Sequence, residues 1–201
     1  GVRVQMILPR QALPQLRTEG INNDENDLLR VGGIKIFADG TLGSQTAAML
    51  EGFEGTNNYG ILTVPEQEMK DIVSDATEMG LIIAIHAIGD RAAQVALNSI
   101  ERAQQLIAEQ GTPSDPASGL RYRLEHVQLI TPEDMQRMRR LGVIASVQPF
   151  HAVADRDIAE RYWGKRHRRA FAYRSMHDLG IPLALGSDAP VEIFDPLRIL
   201  Y

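Results

Sequence analysis

The sequence predicts an α/β fold, parallel strands under a layer of helices, and three observations carry that expectation. Short runs rich in Val, Ile, Leu and Ala recur six times, at 3–8, 34–39, 81–87, 121–127, 143–149 and 182–188. Helical patterns with legible ends lie between them, and most connections are short. Strand and helix repeated in this way leave few topologies besides parallel strands joined by right-handed crossovers. With 201 residues, 44% of them hydrophobic and 23% charged, the chain can bury one sizeable core, so it is read as a single unit over 1–201.

The elements follow in order. The first strand, Arg3 to Leu8, begins almost at Gly1, and with no initiator Met ahead of it the chain reads as an internal or processed piece. The Gly32-Gly33 pair reads as a tight turn before the second strand, Ile34 to Asp39. Thr41 to Gly60, rich in Gly, Asn and Thr, breaks the rhythm at a carboxyl strand end, where βα loops build sites. Thr63-Val64-Pro65-Glu66 has the spacing of a capping box with Pro in the first turn, and Met69, Ile72, Val73 and Ala76 form one apolar stripe. After the third strand, Leu81 to Ala87, a helix opens at Asp90, carries Val95, Ala96, Ile100, Ala103, Leu106 and Ile107 inward, and stops at Gly111, where a surface loop begins. Arg121 to Val127 is the fourth strand. Thr131-Pro132-Glu133-Asp134 opens a helix that closes at Gly142, and the fifth strand runs from Val143 to Pro149. Phe150 to Lys165 is a second irregular segment; a last helix, Arg168 to Leu179, ends at Gly180 before the strand Pro182 to Asp188. Six strands cannot close an eight-stranded barrel, which takes about 250 residues, so part of a barrel and an open sheet both fit.

Composition excludes several partners. Lys and Arg number 21 against 26 Asp and Glu, a net charge of -5, and apart from 165–169 (KRHRR) no basic run offers a footprint for a phosphate backbone; no nucleic acid is expected. Without Cys there is no disulfide framework, thiol nucleophile or Cys-ligated zinc, so a metal must be held by His, carboxylate or a modified side chain. No apolar stretch reaches about 18 residues and no charged-then-apolar leader opens the chain. No membrane association is expected, and a cytoplasmic location is the default. Association with further copies of the chain stays open.

Strand parity gathers the chemistry. Leu81, Ile83 and Ile85 suit a face under helices, leaving Ile82, Ala84 and His86 inside; Ile34, Ile36 and Ala38 leave Lys35, Phe37 and Asp39 inside; Leu183 and Leu185 leave Ala184, Gly186 and Asp188 inside. The fourth strand puts Tyr122, Leu124 and His126 on one face and Arg121, Arg123 and Glu125 on the other; His126 is taken as inward. Four strands thus send Lys35, His86, His126 and Asp188 towards one mouth. Two imidazoles and a carboxylate suit zinc, with Fe, Mn or Co equally served, as one ion or two. A buried ammonium beside cations is costly, and a CO2-derived carbamate on Lys35 would make it an anionic, two-oxygen ligand.

These segments carry a resemblance. VGGIKIFADGTLGSQTAA (31–48), IHAIGDRA (85–92), LEHVQLI (124–130), IASVQP (144–149) and LALGSDAP (183–190) look like the amidohydrolase superfamily, and more narrowly its family 3 or YtcJ-like branch, which includes N-substituted formamide deformylase. The resemblance implies a distorted TIM (β/α)8 barrel, here strands 3 to 8 without the first strands and the flanking β-sandwich, and a metal-dependent hydrolase of non-peptide C–N bonds in amides, formamides or cyclic amides. Its metal ligands match Lys35, His86, His126 and Asp188; the superfamily's His-x-His pair has no counterpart. The resemblance further implies that a bound metal would activate water for attack on the carbonyl of a small-molecule substrate, and that Asp188 would carry the proton to the leaving amine. Asp39, Arg91, Gln148 and His151 are candidates to contact that substrate. The alternative is a barrel relative that binds a small molecule or regulates without catalysis.

Overall fold

A computed structural model describes residues 1–21, 28–109, 122–195 and 197. Six parallel strands lie side by side in chain order: β1 (Val4–Pro9), β2 (Leu29–Phe37), β3 (Ile82–Ala87), β4 (Tyr122–His126), β5 (Ile144–Val147) and β6 (Leu183–Leu185). A doubly wound sheet reverses its strand order at a switch point. Here the order never reverses, so successive crossovers lay their helices on one face, as in a barrel wall.

The helices are α1 (Leu13–Glu19), α2 (Glu66–Glu78), α3 (Asp90–Glu109), α4 (Pro132–Arg140), α5 (Pro149–Ala154), α6 (Arg156–Trp163) and α7 (Tyr173–Asp178), with 3-10 turns at Arg10–Ala12 and Gly164–Arg169. The main core lies between this layer and the outer face of the sheet: Ile34, Ile36, Ile83, Ile85, Leu124, Ala145 and Val147 from the strands meet Met69, Val73, Ala76, Ala92, Ala96, Ile100 and Met138 from the helices. A second cluster sits beyond the carboxyl strand ends, where Leu42, Met49 and Phe53 of the loop after β2 pack with Ile88, Leu129, Ala159 and Trp163.

Several boundaries differ from the sequence expectation. β2 starts at Leu29 because 29–31 pair with 4–6 of β1, and Gly32-Gly33 lies inside the strand rather than in a turn. The glycines serve close approach: a Cβ on Gly33 would run into the Ile82 carbonyl of β3, and one on Gly32 into the Gln5 side chain. Thr63 does not cap α2. Its hydroxyl donates to the Phe37 carbonyl instead, and Pro65 holds the cap position. Thr131 does cap α4, accepting from the Asp134 amide at 3.1 Å, and α4 and α7 are followed by left-handed Gly142 and Gly180 (φ 66° and 75°). The segment 150–165 is mostly helical, because Pro149 at the first position of α5 starts a turn the apolar pattern does not reveal. Arg121 and the loop from Gly111 fall outside the described residues.

Candidate metal centre

Register decides which side chains share the inner face, since paired residues in neighbouring parallel strands point the same way. Lys35 pairs with Ala84 and Ala84 with Arg123; Phe37 pairs with His86, His86 with Glu125 and Glu125 with Ser146. Lys35 and His86 therefore point inward, with Phe37, 57% exposed, beside them. The expectation for β4 is corrected. Tyr122 and Leu124 belong to the helical core, and Arg123 and Glu125, bonded to each other through Nε and a carboxylate oxygen, occupy the inner face. The alternation of apolar Tyr122 and Leu124 with charged neighbours held this signal; reading the strand in phase with His126 hid it.

His126 reaches the inner side by a different route. It pairs with Ala87, whose side chain is in the core, so a regular strand would bury the imidazole under the helices. Instead His126 and Val127 both adopt positive φ, 73° and 45°, a strained turn for L residues that the Val127 amide secures by donating to Ala87 O at 3.1 Å. The ring then stands edge-on to His86, centroids 4.5 Å apart.

Each imidazole is anchored through one nitrogen. His86 Nε2 donates to Gly40 O at 2.9 Å, with Asp39 Oδ1 3.4 Å away, which leaves Nδ1 with the lone pair. His126 Nδ1 lies 2.8 Å from Gln148 Oε1. Burial holds both rings below the usual histidine range, His126 at about 3 with help from nearby His86 and Lys35, so both are neutral at pH 7. Burial also lowers Lys35, opposed by Glu125 and Asp188 and aided by Arg123; its Nζ sits 5.2 Å from the centre of the Phe37 ring.

Asp188 is placed differently from its expectation as a strand-end ligand. β6 ends at Leu185, and Asp188 lies exposed in the following turn with φ 56°. Its carboxylate still acts electrostatically on Lys35 and His86, but among the described residues no three His, Asp or Glu side chains stand together at metal-holding spacing. The group brought together is His86, His126 and Lys35. Two neutral imidazoles, each held by its other nitrogen, and an amine pushed towards its neutral form are a donor set that fits zinc or a similar divalent ion.

The four other candidates fall into distinct places. Asp39 is buried and has both oxygens taken by backbone amides, Oδ1 by Ile88 at 3.1 Å and Oδ2 by Ala48 and Gly89 at 2.9 and 2.8 Å; it clamps the loop and braces His86 rather than offering itself to a substrate. Arg91 is exposed in the helical layer, where its charge acts on Glu66. Gln148 is buried against His126, and His151 stacks nearly parallel to the His126 ring at 5.9 Å with its Nδ1 buried and unpartnered. Asp90, expected only to open α3, has a further role: it accepts from the Leu50 amide at 2.8 Å and from Arg169, tying the loop after β2 and the Gly164–Arg169 turn to α3.

Comparison with known proteins places this geometry. A family model described as the amidohydrolase family matches residues 3–201. The chain belongs to the amidohydrolase family. It is 34% identical over 176 residues to the protein LONG AFTER FAR-RED 3 of Arabidopsis thaliana, covering 86% of this chain and 29% of that protein. It is 32% identical over 183 residues to YtcJ of Bacillus subtilis, whose name assigns it to the amidohydrolases, covering 90% and 32%. It is 28% identical over 184 residues to the N-substituted formamide deformylase of Arthrobacter pascens, covering 90% and 32%. The chain thus spans about a third of the length of these relatives. An uncharacterized metal-dependent hydrolase from Pyrococcus furiosus superposes with a TM-score of 0.84 at 29% identity, covering 98% of this chain and 39% of that one. The partial-barrel fold expected from the sequence is therefore the fold of this chain.

Proposed function

We propose that this chain carries part of the active site of a metal-dependent hydrolase acting on non-peptide C–N bonds, with amides, formamides and cyclic amides as the substrate class. The observation that supports it most is the edge-on pair His86 and His126, both buried, both neutral, each anchored through one ring nitrogen with the other left open. A lone buried histidine is commonly a satisfied core residue; two at adjacent strand ends beside an inward lysine, in an amidohydrolase, favour a cation.

His86 and His126 are assigned as ligands, with Lys35 and Asp188 completing the set; zinc is the first candidate, one ion or two, with Fe, Mn and Co served by the same donors. A bound divalent ion supplies Lewis acidity, polarising a carbonyl and lowering the pKa of water. The rest is the work of side chains. Lys35, eased towards its neutral amine, can form an N–C bond to CO2 with loss of one proton, giving a carbamate with two donor oxygens. Asp188, exposed at the strand mouth, takes a proton on a carboxylate oxygen and returns it to the leaving amine. The cluster of Leu42, Phe53 and Trp163 shields the strand ends on one side.

Hydrolysis of N-substituted formamides, N-acyl amines and cyclic amides by the intact protein tests this reading. Asp188→Asn is expected to lower kcat at least 100-fold, on the order of a general acid-base contribution, and native mass is expected to exceed denatured mass by one CO2. Full activity of the Asn variant removes Asp188 from the mechanism, and equal masses remove the carbamate.

A further inference from the structure

Gln148 occupies the N-cap position of α5 without a side-chain capping bond; its side chain is buried, and its amide oxygen is the partner of His126. We propose that Gln148 is a positioning residue that fixes the tautomer of His126, keeping the proton on Nδ1 so that Nε2 is the lone-pair nitrogen. This rests on the metal-hydrolase reading for its purpose, though not for its geometry.

An amide oxygen can only accept, so a 2.8 Å contact between Oε1 and Nδ1 requires the ring proton on Nδ1. Gln148 and His126 are 4% and 7% exposed, which leaves little room for water to replace that bond. The backbone of the glutamine is itself held in place. Its backbone carbonyl accepts from the Tyr173 hydroxyl of α7 at 3.2 Å and from the His151 amide at 3.0 Å, and Pro149 follows it directly. His151 stacks against one side of the His126 ring and His86 meets it edge-on, so ring rotation is obstructed as well.

The choice is opposite to that at His86, where the Gly40 carbonyl takes Nε2 and leaves Nδ1 open. A backbone carbonyl fixes one ring and a side-chain amide fixes the other, so only the second can be changed by substitution. Turned over, the amide would donate to Nδ1, move the proton to Nε2 and close that nitrogen to a cation.

The test is imidazole nitrogen NMR on the metal-stripped, histidine-labelled intact protein. The sequence given has five histidines, and His126 is assigned by its loss in His126→Asn. The expected spectrum has Nδ1 protonated and Nε2 bare in the wild type and in Gln148→Glu, and a mixed or reversed tautomer in Gln148→Leu. Zinc affinity should fall about 10- to 100-fold in the Leu variant and be retained in the Glu variant. A proton on Nε2 in the wild type, or a Leu variant with unchanged tautomer and unchanged zinc affinity, overturns the proposal. Should the Leu variant fail to fold, the wild-type and Glu spectra decide. The expected tautomer in a wild type that binds no zinc would sink the hydrolase reading and leave the positioning intact.

Discussion

His126 occupies the inner face only because two consecutive residues take a left-handed backbone, and its burial there has a measurable cost. A folded pKa of about 3 against 6.5 unfolded means the unfolded chain binds more protons between those values. Its contribution to stability is therefore complete above pH 6.5 and is lost as pH falls towards 3; His86, also lowered, acts in the same sense. Asp39 has the opposite sign. Raised from 3.8 to about 7, chiefly by burial, it favours the fold below pH 4 and gives that up as pH rises towards 7. In metal-free protein, the unfolding free energy of His126→Asn is expected to climb less steeply than wild type from pH 4 to 6.5 in urea titrations. Identical slopes would place the His126 pKa near its ordinary value.

The loop after β2 behaves as an element because two buried carboxylates and an apolar cluster hold it. Asp39 joins its middle to the turn before α3, Asp90 joins Leu50 to the start of α3, and Phe53 and Met49 pack under Trp163. Asp39→Asn replaces one acceptor oxygen by an amide facing backbone donors, so at least one buried N–H loses its partner. Amide exchange is therefore expected to quicken at Ala48 and Gly89; unchanged exchange there would show that the clamp carries no weight. Elements whose signals are local were legible in the sequence: Thr131 capping α4, Gly180 following α7, the stripe of α2. Those set by pairing were not. The early start of β2 needs β1 as a partner, α1 is too short to show a stripe, and the inward turn of His126 depends on two dihedrals that side-chain alternation cannot report.

At the scale of the molecule, in-order parallel winding turns residues 35, 86 and 126, distant along the chain, into neighbours at one end of the sheet. Parity identified Lys35 and His86 correctly as inward because β2 and β3 are regular to their carboxyl ends. It misplaced Arg123 and Glu125, whose mutual pairing makes charges tolerable inside. Asp188 lies past the last regular residue of β6, where alternation no longer applies. Among the described residues no helix is long and apolar enough to cross a membrane. In the proposed hydrolase, His86 and His126 share a divalent cation. Elemental analysis of the intact protein after chelation and reloading with zinc tests it most directly, alongside His86→Ala, His126→Ala and the double variant. Bound zinc in the wild type, diminished in each single variant and abolished in the double, is the predicted result. A wild type that retains no metal, or a double variant that binds as much zinc as the wild type, would contradict it.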